Sequence, residues 1–331
     1  WVNGFDDPVD HRVPLVPKAY RQRNRPHGLE RVIAMRLIDS HAHFPFNEPV
    51  TAATDRVKDP RLTAERTKWK NAWGFPDAET ITDFDTLADM WKRECEKHGL
   101  EKIVFTTAGG NAQAVRLVRK HPECFIGYAH HDPGSPNAVQ TLEEAITQGG
   151  LKGYKILGPA ISTPLDSRTL YPVWEAAQSL GIPVLIHFGI LGSAGGIAAH
   201  PNINPLILHD VAKAFPRIPF IIPHFGCGYL FETLNLCWAC PNVSIDTSGS
   251  NQWMRWMPYE MSLEMLFRKY RETIGPDRIL FGSDSSSFPR GFVRRYLDDQ
   301  IRAMVYVGFT EAEVDRVLYL NAKTLWDTEG L

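Results

Sequence analysis

The segment Ile38-Asp39-Ser40-His41-Ala42-His43 closes an apolar run with two imidazoles two residues apart, a spacing that turns both to one face of a strand. Other apolar runs close on similar chemistry: Leu185-Ile186-His187, Ile222-Pro223-His224 and Phe281-Gly282-Ser283-Asp284, while Gly153-Tyr154-Lys155 ends on an amine. Neutral imidazole and carboxylate suit zinc, manganese or iron, and three or four such ligands with an open position make a catalytic metal site. A lone H-x-H is weak ground, since a single histidine is more often structural. Recurrence of these groups at the ends of separate runs is what points to a divalent metal. Asp284 alone could close an Asx-turn; in this company it reads as a ligand and a proton-transfer group.

Residues so far apart in sequence meet only if the segments between them return to a common place. Eight short apolar runs, Arg36–Asp39, Lys102–Thr106, Phe125–Ala129, Gly153–Leu157, Val184–His187, Phe220–His224, Val243–Asp246 and Ile279–Gly282, alternate with amphipathic stretches such as 83–98, 111–120 and 137–149. Strands alternating with helices imply right-handed parallel crossovers, and eight of them close into an α/β fold, the (β/α)8 TIM barrel. A doubly wound open sheet would carry a Gly-rich phosphate turn after its first strand, and Ser40-His41-Ala42-His43 stands there instead. Barrel active sites are built at the carboxyl ends of the strands, where the four imidazoles, Lys155 and Asp284 all fall. Lys152, an odd number of positions from Lys155, is expected to face the helices.

Composition bounds the rest. The chain has 331 residues, 44% hydrophobic and 22% charged, with a net charge of −2, which excludes a disordered or fibrous protein and gives no field favouring nucleic acid or anionic lipid. Small-molecule chemistry is the expectation, and so is a homo-oligomer or hetero-oligomer. Five cysteines at irregular gaps argue against a disulfide framework and for a reducing, cytoplasmic setting. Cys237 and Cys240 form a C-x-x-C without a second pair and read as buried helix cysteines. No stretch approaches the roughly 20 apolar residues of a membrane helix. Residues 1–35 read as an N-terminal arm, residues 36–331 as the barrel, and an insertion at about 44–82 with Trp69, Trp73 and Phe75 as a cap over its mouth.

With His41-x-His43, His187, His224 and Asp284 in place, the chain resembles the metal-dependent amidohydrolase superfamily. More narrowly, Ile38 to His43, the His224-Phe225-Gly226-Cys227-Gly228 turn, Ile279 to Asp284 and the late Asn321-Ala322 resemble the amidohydrolase-related branch typified by aminocarboxymuconate-semialdehyde decarboxylase. The resemblance spans residues 36–327 and implies a barrel without a β-sandwich domain. It implies that His41, His43, His187 and Asp284 bind one divalent ion, commonly zinc or manganese, with His224 as acid/base or as ligand of a second ion. Lys155 departs from many decarboxylase relatives. Either its amine captures CO2 to form a carbamate that bridges two ions, or it stays an ammonium paired with Asp284 or a substrate carboxylate.

Four functions follow from this reading. In the first, a metal-dependent hydrolase attacks an amide, lactone or similar bond of a small organic acid through activated water, with Asp284 moving the proton and His224 assisting. In the second, a non-oxidative decarboxylase uses the same ligands to release CO2 from an aromatic or unsaturated acid. The third is a two-metal, O2-dependent hydroxylase using iron or manganese, and the fourth a catalytically silent scaffold subunit. His131, Trp253, Arg255 and Arg290 follow strands at the rim and are the candidates for contact with substrate, an arginine beside aromatic rings being suited to clamp a carboxylate. Asp246, ending the seventh strand, either orients a ligand histidine from behind or bonds local backbone.

Overall fold

The computed structural model describes residues 36–46, 60, 61, 64, 67, 68, 74–190, 197 and 199–326. The arm over residues 1–35 and most of the cap, Trp69 and Trp73 included, lie outside the described residues.

Strand β1 (Leu37–His43) pairs in parallel with β2 (Leu100–Thr107), and β2 with β3 (Phe125–Gly127). A second parallel sheet runs in order through β4 (Ala129–His130), β5 (Tyr154–Leu157), β6 (Val184–His187), β7 (Phe220–Ile222), β8 (Val243–Asp246) and β9 (Ile279–Leu280). The two sheets are arcs of one cylinder. At one seam Tyr128 N donates to Phe105 O at 3.1 Å, so β3 and β4 form a single stave interrupted at Tyr128. At the other seam Ser40 N donates to Phe281 O at 3.0 Å and His43 N to Ser285 O at 2.8 Å. Eight staves thus close into a (β/α)8 barrel, and no β-sandwich is present among the described residues.

Helices α1 (Phe84–His98), α2 (Asn111–Lys120), α3 (Ala138–Thr147), α4 (Tyr171–Leu180), α5 (His209–Ala214), α6 (Leu230–Ala239), α7 (Leu263–Ile274) and α8 (Arg294–Tyr306) form the outer layer. The first shows how sequence sets their limits. The Asp83 side chain accepts from Thr86 N at 2.7 Å, satisfying a free donor of the first turn, and Gly99 at φ 67° ends the helix in the left-handed region. Between these caps Phe84, Leu87, Ala88, Trp91 and Cys95 recur at helical spacing and are buried. After α8 come α9 (Glu311–Asp315), a π-helical segment (Arg316–Leu320) and α10 (Asn321–Trp326).

The barrel interior is filled from below. Ile38, Val104, Ile126, Tyr128, Leu185, Ile221 and Leu280 pack with Tyr319, Ala322 and Trp326 in one buried cluster, which makes a dry floor. Asn321 Nδ2 donates to Pro276 O at 2.7 Å and Ile279 O at 2.8 Å, tying α10 to the start of β9.

The first strand runs on to His43 and the second starts at Leu100, and three further boundaries differ from those expected. The third run is two pieces, β3 and β4. The sixth strand stops at Ile222, because Pro223 supplies no ladder donor, and His224–Gly226 forms a 3-10 turn. The eighth stops at Leu280, so Asp284 projects from a loop with φ 55°.

Candidate metal centre

Strand β1 delivers its histidines by breaking its own alternation. Ile38 lies in the barrel floor, and strict period-2 geometry would aim His41 to the opposite face. The pairing shows why it does not: Asp39 aligns with Ile103 and Ala42 with Phe105, so β1 spends an extra residue there. This bulge re-aims the side chains beyond it. Asp39, fully buried, accepts from Ser283 N at 2.9 Å, Ser283 Oγ at 2.5 Å and His41 N at 3.2 Å, fastening the bulge to the loop that carries Asp284. Burial pushes the Asp39 carboxyl up to about 7. Asp284 N in turn donates to His41 O at 2.8 Å.

His41 has no exposed surface, and its Nδ1 lies 2.8 Å from Asp246 Oδ2. An ionised carboxylate only accepts, so Nδ1 carries the proton and Nε2 presents a lone pair. Burial holds this imidazole neutral, lowering its pKa to about 4. Its Nε2 is buried without a hydrogen-bond partner among the described residues. A fully buried lone pair with no donor, 4.0 Å from Asp284 Oδ1, is what a metal ligand supported by a carboxylate behind it looks like. His43 sits alongside, with Nε2 3.0 Å from Asp284 Oδ1 and Nδ1 2.8 Å from Thr107 Oγ1. A threonine hydroxyl both donates and accepts, so Thr107 supports either tautomer. The ligand atoms of His41, His43 and Asp284 lie within 4.8 Å of one another. These donors fit a divalent ion.

His224 enters from the turn after β7, where His224, Phe225 and Cys227 have φ values of 57°, 51° and 46°. Left-handed backbone at non-glycine residues costs on the order of 1–3 kcal/mol each and persists where surrounding structure enforces it. Here Asp246 enforces it, accepting from His224 N at 3.1 Å, Ser248 N at 2.9 Å and Ser248 Oγ. The His224 Nδ1 lies 3.1 Å from Ser248 O, an acceptor, which leaves Nε2 unprotonated in the neutral ring. His41, His224 and Asp246 form a second compact trio; these hydrogen bonds account for it without an ion. Burial acts to raise the Asp246 carboxyl, yet its interactions with His41 and His224 and the bond from Ser248 hold it well below the usual carboxylate range.

Lys155 is 1% exposed and pairs in register with Leu185, a floor residue, so it faces the barrel axis. Burial lowers its amine to about 8 against the charges of Asp246 and Asp284. Lys152 is exposed, as its parity requires. His187 stands with its ring centroid 5.1 Å from that of His224. Its Nε2 is 3.3 Å from Ile190 O, so it adjoins the cluster without sharing the close spacing of His41, His43 and Asp284. Asp284 is the open member, its side chain 37% exposed.

Among the rim candidates, Arg290 donates to Ser286 Oγ at 3.0 Å, lies 4.9 Å from the Phe75 ring centroid, and keeps a buried Nε without a partner among the described residues. Arg255 bonds Gln252 Oε1 at 2.7 Å and lines, with Ser250, Met254 and Tyr259, a surface pocket of about 710 Å3. Trp253 is buried and donates to Asn251 Oδ1 at 3.1 Å, which makes it a support for that loop. His131 is a correction. Its Nε2 is 3.0 Å from Ala138 O at the start of α3, and its ring stacks 4.8 Å from Tyr154. Tyr128 and His130 take the inward parity of that stave, so His131 points to the helix layer, away from the rim. Sequence reasoning missed Thr107, Ser248 and Asp39. Ser248, two residues beyond Asp246, carried a positional signal; the other two have ordinary strand chemistry.

The model of the family described as Amidohydrolase matches residues 38–328. The chain belongs to the amidohydrolase family. It is an enzyme of metal-dependent type. No curated protein matches the chain. Among solved structures this amidohydrolase is similar to 5-carboxyvanillate decarboxylase from Sphingomonas paucimobilis, with 17% identity, a TM-score of 0.59, and coverage of 88% of this chain and 99% of that one. A probable 2-pyrone-4,6-dicarboxylic acid hydrolase from Acinetobacter baumannii gives 16% identity, a TM-score of 0.58, and coverage of 88% and 99%. A dihydroxybenzoic acid decarboxylase from Polaromonas sp. JS666, solved with bound manganese, gives 17%, 0.57, and coverage of 90% and 98%. At these identities the likeness is one of fold. All five cysteines are free and buried, and no described helix is long and apolar enough to cross a membrane.

Proposed function

We propose that this amidohydrolase hydrolyses an amide, lactone or similar bond of a small organic acid, with His41, His43, His187 and Asp284 holding a divalent ion, zinc first among the candidates. The observation that carries the reading is the buried, unpartnered Nε2 of His41 beside the Asp284 carboxylate. A bound ion supplies Lewis acidity and lowers the pKa of water toward neutrality. Asp284, open to the mouth and bonded to His43, takes the proton of the attacking water at a carboxylate oxygen and delivers it to the leaving oxygen or nitrogen. His224, fixed through Nδ1, offers Nε2 to the developing oxyanion once protonated. Arg290 pairs with the substrate carboxylate through its unsatisfied Nε. Lys155, as the neutral enclosed amine, takes up CO2, forming an N–C bond and releasing one proton, and the carbamate would supply two anionic oxygens to a second ion.

Decarboxylation is the second reading, favoured by the decarboxylases among the similar structures. Asp284 or His224 then protonates the carbon that loses CO2. The protein loaded with zinc or manganese, offered lactones, amides and hydroxybenzoic acids, is read for released acid, for CO2 and for oxygen consumption. Hydrolysis predicts one new carboxylate per turnover and no CO2. Stoichiometric CO2 overturns it for decarboxylation, and oxygen uptake overturns both.

A further inference from the structure

We infer that Glu94, on the outer helix α1, is a positioning residue: it holds the loop after β9 so that Arg290 meets the substrate carboxylate that stands apart from the reacting bond. The inference rests on the pairing of Arg290 with a substrate carboxylate proposed above. Glu94 is 9% exposed and lies outside the metal centre. A buried carboxyl is costly unless its oxygens are bonded. Its Oε1 pairs with Lys97 Nζ at 3.1 Å, and its Oε2 accepts from Phe292 N at 2.9 Å, with His98 Nε2 3.4 Å away. Phe292 lies 198 residues further along the chain. The bond therefore ties α1 to the loop that runs from Asp284 to the start of α8.

One face of α1 holds this loop twice. Trp91 and Glu94 are three positions apart and so are neighbours on the helix surface. The Trp91 ring lies 5.1 Å from that of Phe288, and Glu94 bonds Phe292, so two anchors bracket Arg290 at equal distance along the chain. Gly291 allows the close approach: its φ is 57°, and a Cβ there would stand 2.5 Å from Glu94 Oε2. Between the anchors Gly291 N donates to Ser287 O at 3.0 Å, and Arg290 donates to Ser286 Oγ at 3.0 Å, folding the loop on itself. Burial raises the Tyr296 phenol, the Arg290 charge acts to lower it and the Asp284 charge to raise it. One buried side chain thus feels both groups, which puts the guanidinium on the Asp284 side of the loop. A guanidinium gains most from a carboxylate in bidentate geometry, and a fork carried on a loop is aimed only as well as the loop is held.

Isothermal titration calorimetry of the zinc-loaded full chain with benzoate, phthalate, isophthalate and terephthalate tests this, the added carboxylate of the diacids reporting on Arg290. In the wild type at least one diacid is expected to bind about tenfold or more tighter than benzoate, and Arg290→Gln abolishes that advantage. Glu94→Ala lowers it about tenfold while zinc content and benzoate affinity stay at wild-type values. Glu94→Gln, whose amide oxygen still accepts from Phe292 N, keeps most of it. Adding Glu94→Ala to Arg290→Gln costs nothing further, because the two residues act through one contact. Gly291→Ala, which drives the loop from Glu94, serves as a second variant should Glu94→Ala misfold. An advantage that survives Glu94→Ala and Gly291→Ala overturns the role of Glu94 and leaves Arg290 in place. No advantage in the wild type, or one that survives Arg290→Gln, overturns the pairing with Arg290 and this inference with it. A parallel loss of benzoate binding in Glu94→Ala makes the lesion one of folding and overturns the positioning role.

Discussion

Asp246 receives four hydrogen bonds: His41 Nδ1 on one oxygen, and His224 N, Ser248 N and Ser248 Oγ on the other. An asparagine in its place has one oxygen for all of them and an amide that repels the His41 N–H. Asp246→Asn is therefore expected to free the His41 tautomer and lower metal affinity about 10- to 100-fold, read by competitive metal titration; unchanged affinity would remove Asp246 from the support of the site. Asp284→Asn acts differently. It keeps a ligand oxygen next to His43 and loses the base, so metal content stays near normal while turnover falls about 10²- to 10⁴-fold, measured by elemental analysis beside kcat. At this scale the sequence made the H-x-H, Lys155 and Asp284 readable because each ends an apolar run. His131 misled because its direction depends on where a stave is interrupted, and Tyr128, a buried ring in the floor, fixes that parity only in the folded barrel.

The elements hold these side chains through close backbone approach at the seam between the first and last staves. A methyl group added at Gly282 would stand 2.8 Å from Ser248 Cβ and 2.9 Å from His41 Cβ. Neither neighbour can retreat, since Ser248 is bonded to Asp246 and His41 lies in the bulge tied to Ser283 through Asp39. Gly282→Ala is expected to destabilise the fold by about 1–3 kcal/mol and also to lower metal affinity, because the ring it displaces is His41; denaturant melts of the apo and loaded forms separate the two effects. Strand existence was readable from apolar runs, whereas this seam was not. A bulge needs only one extra residue, and Asp39-Ser40-His41-Ala42 contains nothing that marks it. The His224 turn was hidden for the same reason, its left-handed residues being histidine, phenylalanine and cysteine rather than glycine. The late Asn321-Ala322 was noticed only as a family resemblance, and the bonds of Asn321 to Pro276 and Ile279 give it a physical role far from the site.

Across the whole molecule, stability and chemistry occupy different levels of the cylinder. The floor cluster is apolar and sealed by Tyr319, Ala322 and Trp326. The rim gathers imidazoles, an amine and carboxylates, whose burial is costly unless each group is satisfied. Within the metal centre, His41 Nε2 is left unsatisfied among the described residues, so an ion there stabilises the native state and has no equivalent site in the unfolded chain. At an ion concentration about 100 times the dissociation constant this linkage is worth about 2.7 kcal/mol, a rise in Tm of several degrees for a chain of this size. Chelation should remove that increment and reloading with zinc or manganese restore it, followed by scanning calorimetry. The same cycle applied to Asp284→Asn should retain most of the increment, because its lesion is chemical, and applied to Asp246→Asn should lose much of it, because its lesion is in affinity. Identical melting of the loaded and chelated wild type would mean that the folded rim gains nothing from a cation, and the ligand assignment to His41 would fall with it.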